Sequence, residues 1–310
     1  MKRQKNGRSQ NRVFNYFHKW WFRIILGATV ISLYAPIIVL VIFSFNDSRR
    51  NITWHGFTLK YYEKALQNNS LIEAFFNSLS IAVFNTLFSL ILGTLTALLL
   101  WRFRFSFKSV YAAIILIPII IPEICIGIAL LVFFNLLGWP NDLPWPLNLS
   151  KITCAHILFS FPFVAVIIRA RLATFNLDQE EAALDLGANQ KQIFWNIFLP
   201  YLKPALIVSS LLAFTLSLDD FVITFFMSGP ETTTIPIKIY SMVRFSVTPE
   251  VNAASTILLL ITIALAGIAI WIRRLPIFIH EQNAIMGTAN RLLSKIAKIN
   301  FLGFPIKQIK

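Results

Sequence analysis

The stretch Asp178–Pro200, DQEEAALDLGANQKQIFWNIFLP, decides how the chain is read. It is polar at its front, carries Gly187 near its middle, ends on Pro200, and lies between two long apolar runs. Asp178 with Glu181 three residues on has the capping-box spacing, with Asp in the usual Ser or Thr place. Gly187 suits the left-handed conformation that closes a helix. Asn189 with Gln192 repeats the cap for a second helix, whose apolar face is Ile193, Phe194, Ile197 and Phe198. Pro200 then marks a break. The expectation is two short helices with a sharp bend, set at a membrane surface where they touch something outside the bilayer.

The surroundings of this stretch are too apolar for a soluble domain. Of 310 residues, 56% are hydrophobic and 14% charged, against roughly 45–50% apolar and about 25% charged in soluble domains. Mean hydropathy is +0.67. The excess implies a lipid-facing surface, and the aromatic load is mostly Phe, which has no polar handle. A formal net charge of +14 resembles that of a nucleic-acid binder. The basic residues, however, cluster at segment ends, where membrane proteins keep them for topology, so no nucleic-acid partner is expected. Cys125 and Cys154 sit in or beside apolar runs and read as small packing residues. His18, His55, His156 and His280 are scattered without an HxxxH or HExxH pattern, so no metal site is expected.

The apolar runs predict an all-α integral membrane protein with six transmembrane helices. A basic N-terminal extension (1–21) precedes a first span at 22–45, long enough to cross about 30 Å of hydrocarbon. Its length, and Tyr34-Ala35-Pro36 in place of a small-residue cleavage site, argue against a signal peptide. A polar segment follows with Trp54, Tyr61 and Tyr62 as interfacial aromatics. Further spans are expected near Ile72–Trp101, Val110–Leu137 (with Pro118 and Pro122 inside), Ile152–Ile168, Ala205–Met227 and Val251–Ile272. A basic tail (273–310) closes the chain. Of the 28 Lys and Arg residues, 21 fall on the side holding both termini and Asp178–Pro200, and 7 on the other. The positive-inside rule therefore puts the termini and the opening stretch in the cytoplasm.

Glu181-Ala182-Ala183, then Gly187, then nine residues, then Ile197-x-Leu199-Pro200 resembles the EAA signature of ABC importer permeases with a type-1, MetI-like transmembrane domain. It falls in the expected cytoplasmic loop between the fourth and fifth spans. SFND at Ser44–Asp47, IPEI at Ile121–Ile124, LSLDDFVITFFMSGP at Leu216–Pro230 and PIKIYSMVRFSVTPEVNAASTILL at Pro236–Leu259 are similar to the PotC-type permeases of spermidine/putrescine importers. The likeness covers roughly Ile31–Ile272 and leaves out the N-terminal extension and the tail.

The resemblance implies a type I ABC importer permease fold (72–272) in a bacterial inner membrane, forming half of a polyamine pathway. It implies a sister permease, a dimer of ATPase subunits and a periplasmic polyamine-binding protein as partners. Asp178–Pro200 would be the coupling pair on the ATPase: Glu181, Ala182 and Ala183 on the docking helix, Gly187 at the bend, and Ile197, Leu199 and Pro200 anchoring the second helix. The chain has no G-x-x-x-x-G-K-[ST] run, so it is not expected to be the enzyme, and ATP and Mg belong to the partner. Another small solute remains an alternative. So does a stand-alone secondary transporter or channel, against which stand the EAA match and the lack of a visible inverted repeat.

Intramembrane acids are costly and are therefore functional candidates. Glu123 follows the two prolines of the third span. Asp219 and Asp220 lie about 14 residues into the fifth, on the order of 21 Å at the helical rise. Adjacent residues on a helix point about 100° apart, so only one of this pair is expected to face a pore, and which one stays open. Tyr240 and the Phe225-Phe226 pair offer cation–π faces, with ordinary packing as the competing role of the Phe residues.

Overall fold

The computed structural model describes residues 20–48, 53–140, 143–245 and 249–273. Most of the N-terminal extension and all of the tail beyond Arg273 lie outside the described residues. The architecture is helical. The only paired extended backbone among the described residues is an isolated antiparallel bridge between Asn46 and Phe57. The chain divides into two compact units, Met1–Asn68 with Ser241–Leu258, and Asn69–Tyr240 with Leu259–Lys310.

In the first unit, α1 (Trp20–Phe43) is apolar all round and has no buried residue. The SFND stretch after it folds into a small hydrogen-bonded knot. Buried Asn46 donates from Nδ2 to the Thr53 carbonyl at 2.8 Å and accepts from the His55 N–H at 2.9 Å. The Ser44 and Tyr62 hydroxyls meet at 2.6 Å, and the Tyr61 hydroxyl donates to the Ser48 carbonyl at 2.8 Å. Tyr61 is buried in α2 (Lys60–Gln67), so these two tyrosines are internal tethers rather than the interfacial aromatics expected from sequence. A tyrosine ring with a satisfied hydroxyl closes a loop as readily as it anchors to lipid. Asn68 donates to Glu250 at 3.0 Å, tying the end of α2 to the first turn of α12 (Pro249–Arg273).

The second unit is built on three helices that pack on one another, α3 (Asn69–Arg102), α6 (Ser150–Leu172) and α9 (Leu199–Leu218). Ala97, Val164, Ile168, Leu172, Leu202, Ala205 and Ala213 fill one end of their core. Lipid offers no hydrophobic drive between such helices, so close approach and polar contacts hold them. Gly93 supplies the approach: a Cβ there would lie 2.7 Å from the Val164 side chain and 2.9 Å from the Phe161 carbonyl. Asn85 supplies the polar contact. Its Nδ2 donates to Ser160 Oγ at 3.2 Å and to the Ala213 carbonyl at 2.9 Å, while Ser89 donates to its Oδ1.

Two expected spans are broken. The third is α4 (Lys108–Ile120) and α5 (Glu123–Leu136), bent by 106°. Pro122 has no N–H to continue the ladder, and Ile121 before it takes the extended backbone (ψ 136°) that a residue preceding proline prefers. The fifth ends at Leu218, and a separate short helix α10 (Val222–Met227) follows, with α11 (Ile235–Phe245) after it. α5 and α10 pack together, Gly127 lying so close that a Cβ would meet the Phe226 ring at 2.8 Å. Among the described residues, four helices are long and apolar enough to cross a membrane, five with the α4–α5 pair counted as one. α12 covers the sixth expected span and is apolar through Ala264. Both cysteines have exposed side chains, so neither fills the core as sequence suggested.

Gly93→Ala puts a methyl against a backbone carbonyl that has no freedom to yield. The expected outcome is a loss of about 1–3 kcal/mol, the usual cost of overpacking, read as a lower unfolding midpoint of the detergent-purified protein. An unchanged midpoint would mean the α3–α6 contact is slack.

Candidate functional site

The opening stretch folds as α7 (Asp178–Asp185), a glycine turn and α8 (Gln190–Ile193). No residue of α7 is buried; Glu181 and Ala182 are exposed and Ala183 half-buried. Asp178 does not make the expected capping box. Leu177 holds the N-cap position, and the Asn176 side chain, two residues upstream of Asp178, accepts the Asp178 N–H at 3.0 Å. Asp178, Glu180 and Glu181 then share the first turn, where the helix dipole favours acids. Gly187 does close the helix in the left-handed region, at φ +83°. Its N–H reaches the Leu184 carbonyl at 2.9 Å and the Ala188 N–H the Ala183 carbonyl at 3.0 Å. The second cap is present in full: Asn189 and Gln192 exchange side-chain bonds with each other's N–H at 2.9 and 2.8 Å.

Pro200 does not break the chain. It sits at the front of α9, where its missing N–H costs little. A π-helical turn, Phe194–Phe198, joins α8 to α9, the Leu199 N–H bonding back to the Phe194 carbonyl. Residues 190–218 therefore run as one long helical span. Ile197 and Leu199 are half-buried and Pro200 is exposed.

Two links between this segment and the membrane helices were not legible in the sequence. Arg102, the last residue of α3, grips Glu180 with both guanidinium nitrogens, at 2.8 and 2.7 Å. Nothing in the 78-residue separation signals that pair. An aromatic cluster lies beneath: Phe175 faces Trp101 at 5.8 Å, Phe198 at 5.6 Å and Tyr201 at 5.0 Å between ring centres. The Arg171 guanidinium stacks on Tyr201 at 4.0 Å, and the Tyr201 hydroxyl donates to the Arg171 carbonyl. Leu186, at the tip, is 89% exposed.

The acids expected along a pathway sit at the two helix breaks. Glu123 opens α5; Asp219 caps the end of α9, and Asp220 lies between α9 and α10. Asp219 and Asp220 are thus not on one helix, and the 100° argument does not separate them. Both lie within electrostatic reach of Glu123. The two aspartates differ in their partners. Asp220 Oδ2 accepts the Thr224 N–H at 2.9 Å and the Thr224 hydroxyl at 2.7 Å, and His156 Nε2 stands 3.3 Å away. Asp219 and Glu123 are exposed; the Asp219 carboxylate is engaged by its own backbone N–H, and among the described residues no side chain hydrogen-bonds or ion-pairs with either carboxylate. Tyr240 stacks near Phe221 at 4.9 Å and stands 6.4 Å from Phe225, both its ring and that of Phe225 being about half exposed. Phe226 packs on Gly127, the core role weighed for it. His156 is the residue sequence reasoning missed: isolated in the sequence, it meets its partners only through the fold.

A chain of apolar helices with a polar appendage and paired breaks has counterparts among known proteins. Residues 87–275 match the family described as binding-protein-dependent transport system inner membrane component. The chain belongs to this family. It is a multi-pass inner-membrane transport protein. It is 41% identical over 247 residues to the spermidine/putrescine transport system permease protein PotC of Escherichia coli (strain K12), covering 78% of this chain and 91% of that one. It is 40% identical over 256 residues to the putrescine transport system permease protein PotI of the same organism, covering 81% and 89%. A solved bacterial alginate ABC transporter, crystallised with an alginate pentasaccharide-bound periplasmic protein, shares the fold at a TM-score of 0.63. That match is 20% identical and covers 83% of this chain and 95% of the other.

Gly187→Val forces a branched side chain to positive φ. Strain of about 1–2 kcal/mol is expected in the turn, seen as faster amide exchange across Leu184–Ile193 while the α3–α6–α9 core keeps its protection. Unchanged exchange would mean that the turn does not need the glycine.

Proposed function

We propose that the chain is the permease subunit of an ATP-driven ABC importer for polyamines, spermidine and putrescine, and that it forms half of the translocation pathway. The observation that carries this is the gathering of Glu123 and Asp219, with no side chain among the described residues hydrogen-bonded or ion-paired to either, at two helix breaks of a lipid-spanning chain. A polyamine carries several ammonium groups, and carboxylates along a low-dielectric passage offset the hydration those groups lose. Exposed rings at Phe225 and Tyr240 add cation–π faces. The same carboxylates repel an anionic solute and gain nothing from an uncharged one. Identity to the PotC and PotI permeases supports the same substrate class.

In this reading Asp178–Pro200 is the coupling pair. Glu181, Ala182 and Ala183 dock on an ATPase subunit, Gly187 holds the bend, and Ile197, Leu199 and Pro200 seat the second helix. That α7 buries no residue and ends beside an exposed apolar tip at Leu186, next to Asp185, supports a protein partner over open water. ATP and Mg act on that partner. A sister permease, a second ATPase copy and a periplasmic polyamine-binding protein complete the importer. Six spans with both termini cytoplasmic follow from the charge balance, the third span being the broken α4–α5 pair.

Two measurements test this. Glu181→Lys abolishes ATP-driven spermidine uptake by the assembled transporter while leaving membrane insertion intact; uptake that persists removes the coupling role. Asp219→Asn or Glu123→Gln lowers uptake of labelled spermidine by about tenfold, the equivalent of about 1.4 kcal/mol for one charge contact. Unlabelled putrescine and spermidine compete for the wild-type signal. Equal uptake at normal expression removes the pathway assignment.

A further inference from the structure

We propose that His156 is a positioning residue for the pathway carboxylates: it fixes the break between α9 and α10 through Asp220, and thereby sets where Asp219 stands. Its effect on transport rests on the polyamine reading above; its effect on geometry does not.

One imidazole joins three elements. His156 belongs to α6 and is 3% exposed. Its Nδ1 lies 2.7 Å from the hydroxyl of Ser217, in the last turn of α9. Its Nε2 lies 2.8 Å from the hydroxyl of Thr224, in α10, and 3.3 Å from Asp220 Oδ2 in the break. Ser217 and Thr224 are themselves buried. The protons can be assigned from the network. Thr224 has one hydroxyl proton, and the 2.7 Å bond to Asp220 Oδ2 uses it. The Thr224 oxygen can then face Nε2 only as an acceptor, so Nε2 carries hydrogen and points at both Thr224 and Asp220. In the neutral ring, Nδ1 accepts from the Ser217 hydroxyl. Every polar atom of the ring has a partner, as burial demands.

Across the break the backbone ladder is interrupted. The Asp219 N–H still bonds to the Thr215 carbonyl at 3.2 Å, and the ladder resumes at the Phe225 N–H on the Phe221 carbonyl at 2.9 Å. In between, the Thr224 N–H depends on the Asp220 side chain. The shape of the turn is therefore held by side chains, and His156 is the group that ties them to α6. Asp219 is the residue at the hinge of that turn. Removing the ring leaves Asp220 one donor short and the Ser217 hydroxyl without its partner, both in a buried site where unpaired groups are costly. The turn then relaxes, and the Asp219 carboxylate moves with it. Asp220 is committed to building the break, and Asp219 is the member of the pair left for cargo.

The test uses the whole transporter, this chain with its partner permease, ATPase and binding protein, in proteoliposomes. The readout is spermidine moved per ATP hydrolysed, a ratio that loss of assembled complex does not change. His156→Leu lowers the ratio by about fivefold, and His156→Gln, whose amide offers one donor and one acceptor, recovers most of it. In an Asp219→Asn background, His156→Leu changes the ratio by less than about twofold, because the two act on one thing. An unchanged ratio in His156→Leu, or effects that multiply in the double variant, overturns the proposal. Where His156→Leu does not assemble, Ser217→Ala, which removes the Nδ1 partner alone, carries the same cycle with the same two outcomes.

A second measurement needs no cargo. Asp219→Cys in a Cys125→Ser, Cys154→Ser chain is labelled with a cationic thiosulfonate. Loss of the His156 or Ser217 contact shifts the labelling rate by about tenfold, the equivalent of about 1.4 kcal/mol; an unshifted rate overturns the proposal. A wild-type complex that fails to take up spermidine overturns the polyamine reading instead, and the labelling rates still decide the role of His156.

Discussion

A polypeptide in lipid must satisfy its own backbone. No water reaches the hydrocarbon to pair a stray N–H or carbonyl, so continuous helices are the default and any break must be closed by side chains or open onto a cavity. The second unit of this chain is organised by that constraint. α3, α6 and α9 are the uninterrupted helices, held together by a glycine contact and by one asparagine that bonds into both neighbours. The interruptions are confined to α4–α5 and α9–α10, and their closures differ. The first follows from proline chemistry at Pro122. The second is assembled from Asp220, Thr224, Ser217 and His156. A proline break is fixed by covalent geometry, whereas a side-chain break depends on a network that a neighbouring helix completes.

The segment Asp178–Pro200 obeys the same logic on the polar side. A helix of eight residues with no buried side chain has no core of its own to hold it. Isolated, such a helix is marginal, since short helices seldom repay their nucleation. It is kept in place by the Arg102–Glu180 fork, by the glycine turn and by the capping box at Asn189. Beyond it, the π turn and the aromatic set around Phe175 connect to α9 and to the ends of α3 and α6. α7 is thus connected to the membrane helices in two ways. One runs through an exposed ion pair, which is weak in water. The other runs through packed rings that have little freedom to slip. The rings are the stiffer connection, and the ion pair sets orientation.

Much of this was legible in the sequence, and the reasons are local. The apolar runs located the long helices because hydropathy needs only neighbours along the chain. Asn189 with Gln192 announced a cap and Gly187 a left-handed turn, and both are present, because caps and turns are set within a few residues. The misreadings share the opposite cause. Asp178 sits at capping spacing, yet Leu177 holds the N-cap place and the Asn176 side chain accepts the Asp178 N–H, since spacing does not say where a helix begins. Pro200 reads as a break in the sequence, though a proline at the front of a helix is tolerated and a π turn absorbs the mismatch. The different partners of Asp219 and Asp220, the tethers of Tyr61 and Tyr62, and above all His156 were beyond sequence reasoning, because the partners lie in other helices or across a loop. A lone histidine in an apolar run carries no signal until the fold places Ser217 and Thr224 on its two nitrogens.

The adjacency of Asp219 and Asp220 then acquires a physical account. On a continuous helix, two neighbouring acids would point apart, and one would face a costly environment without purpose. At a break, the two have separable tasks. A carboxylate that caps the next helix and receives an imidazole is well satisfied, and a satisfied carboxylate is a poor ligand for a passing ammonium, because any contact must displace bonds already made. A carboxylate that remains available for cargo cannot also hold the turn. One acid therefore cannot do both, and a break that both persists and presents charge needs two. Asp220 is buried among its donors while Asp219, one residue earlier, stays exposed. Glu123 has the same freedom by a different means, since Pro122 closes its break without help from the carboxylate.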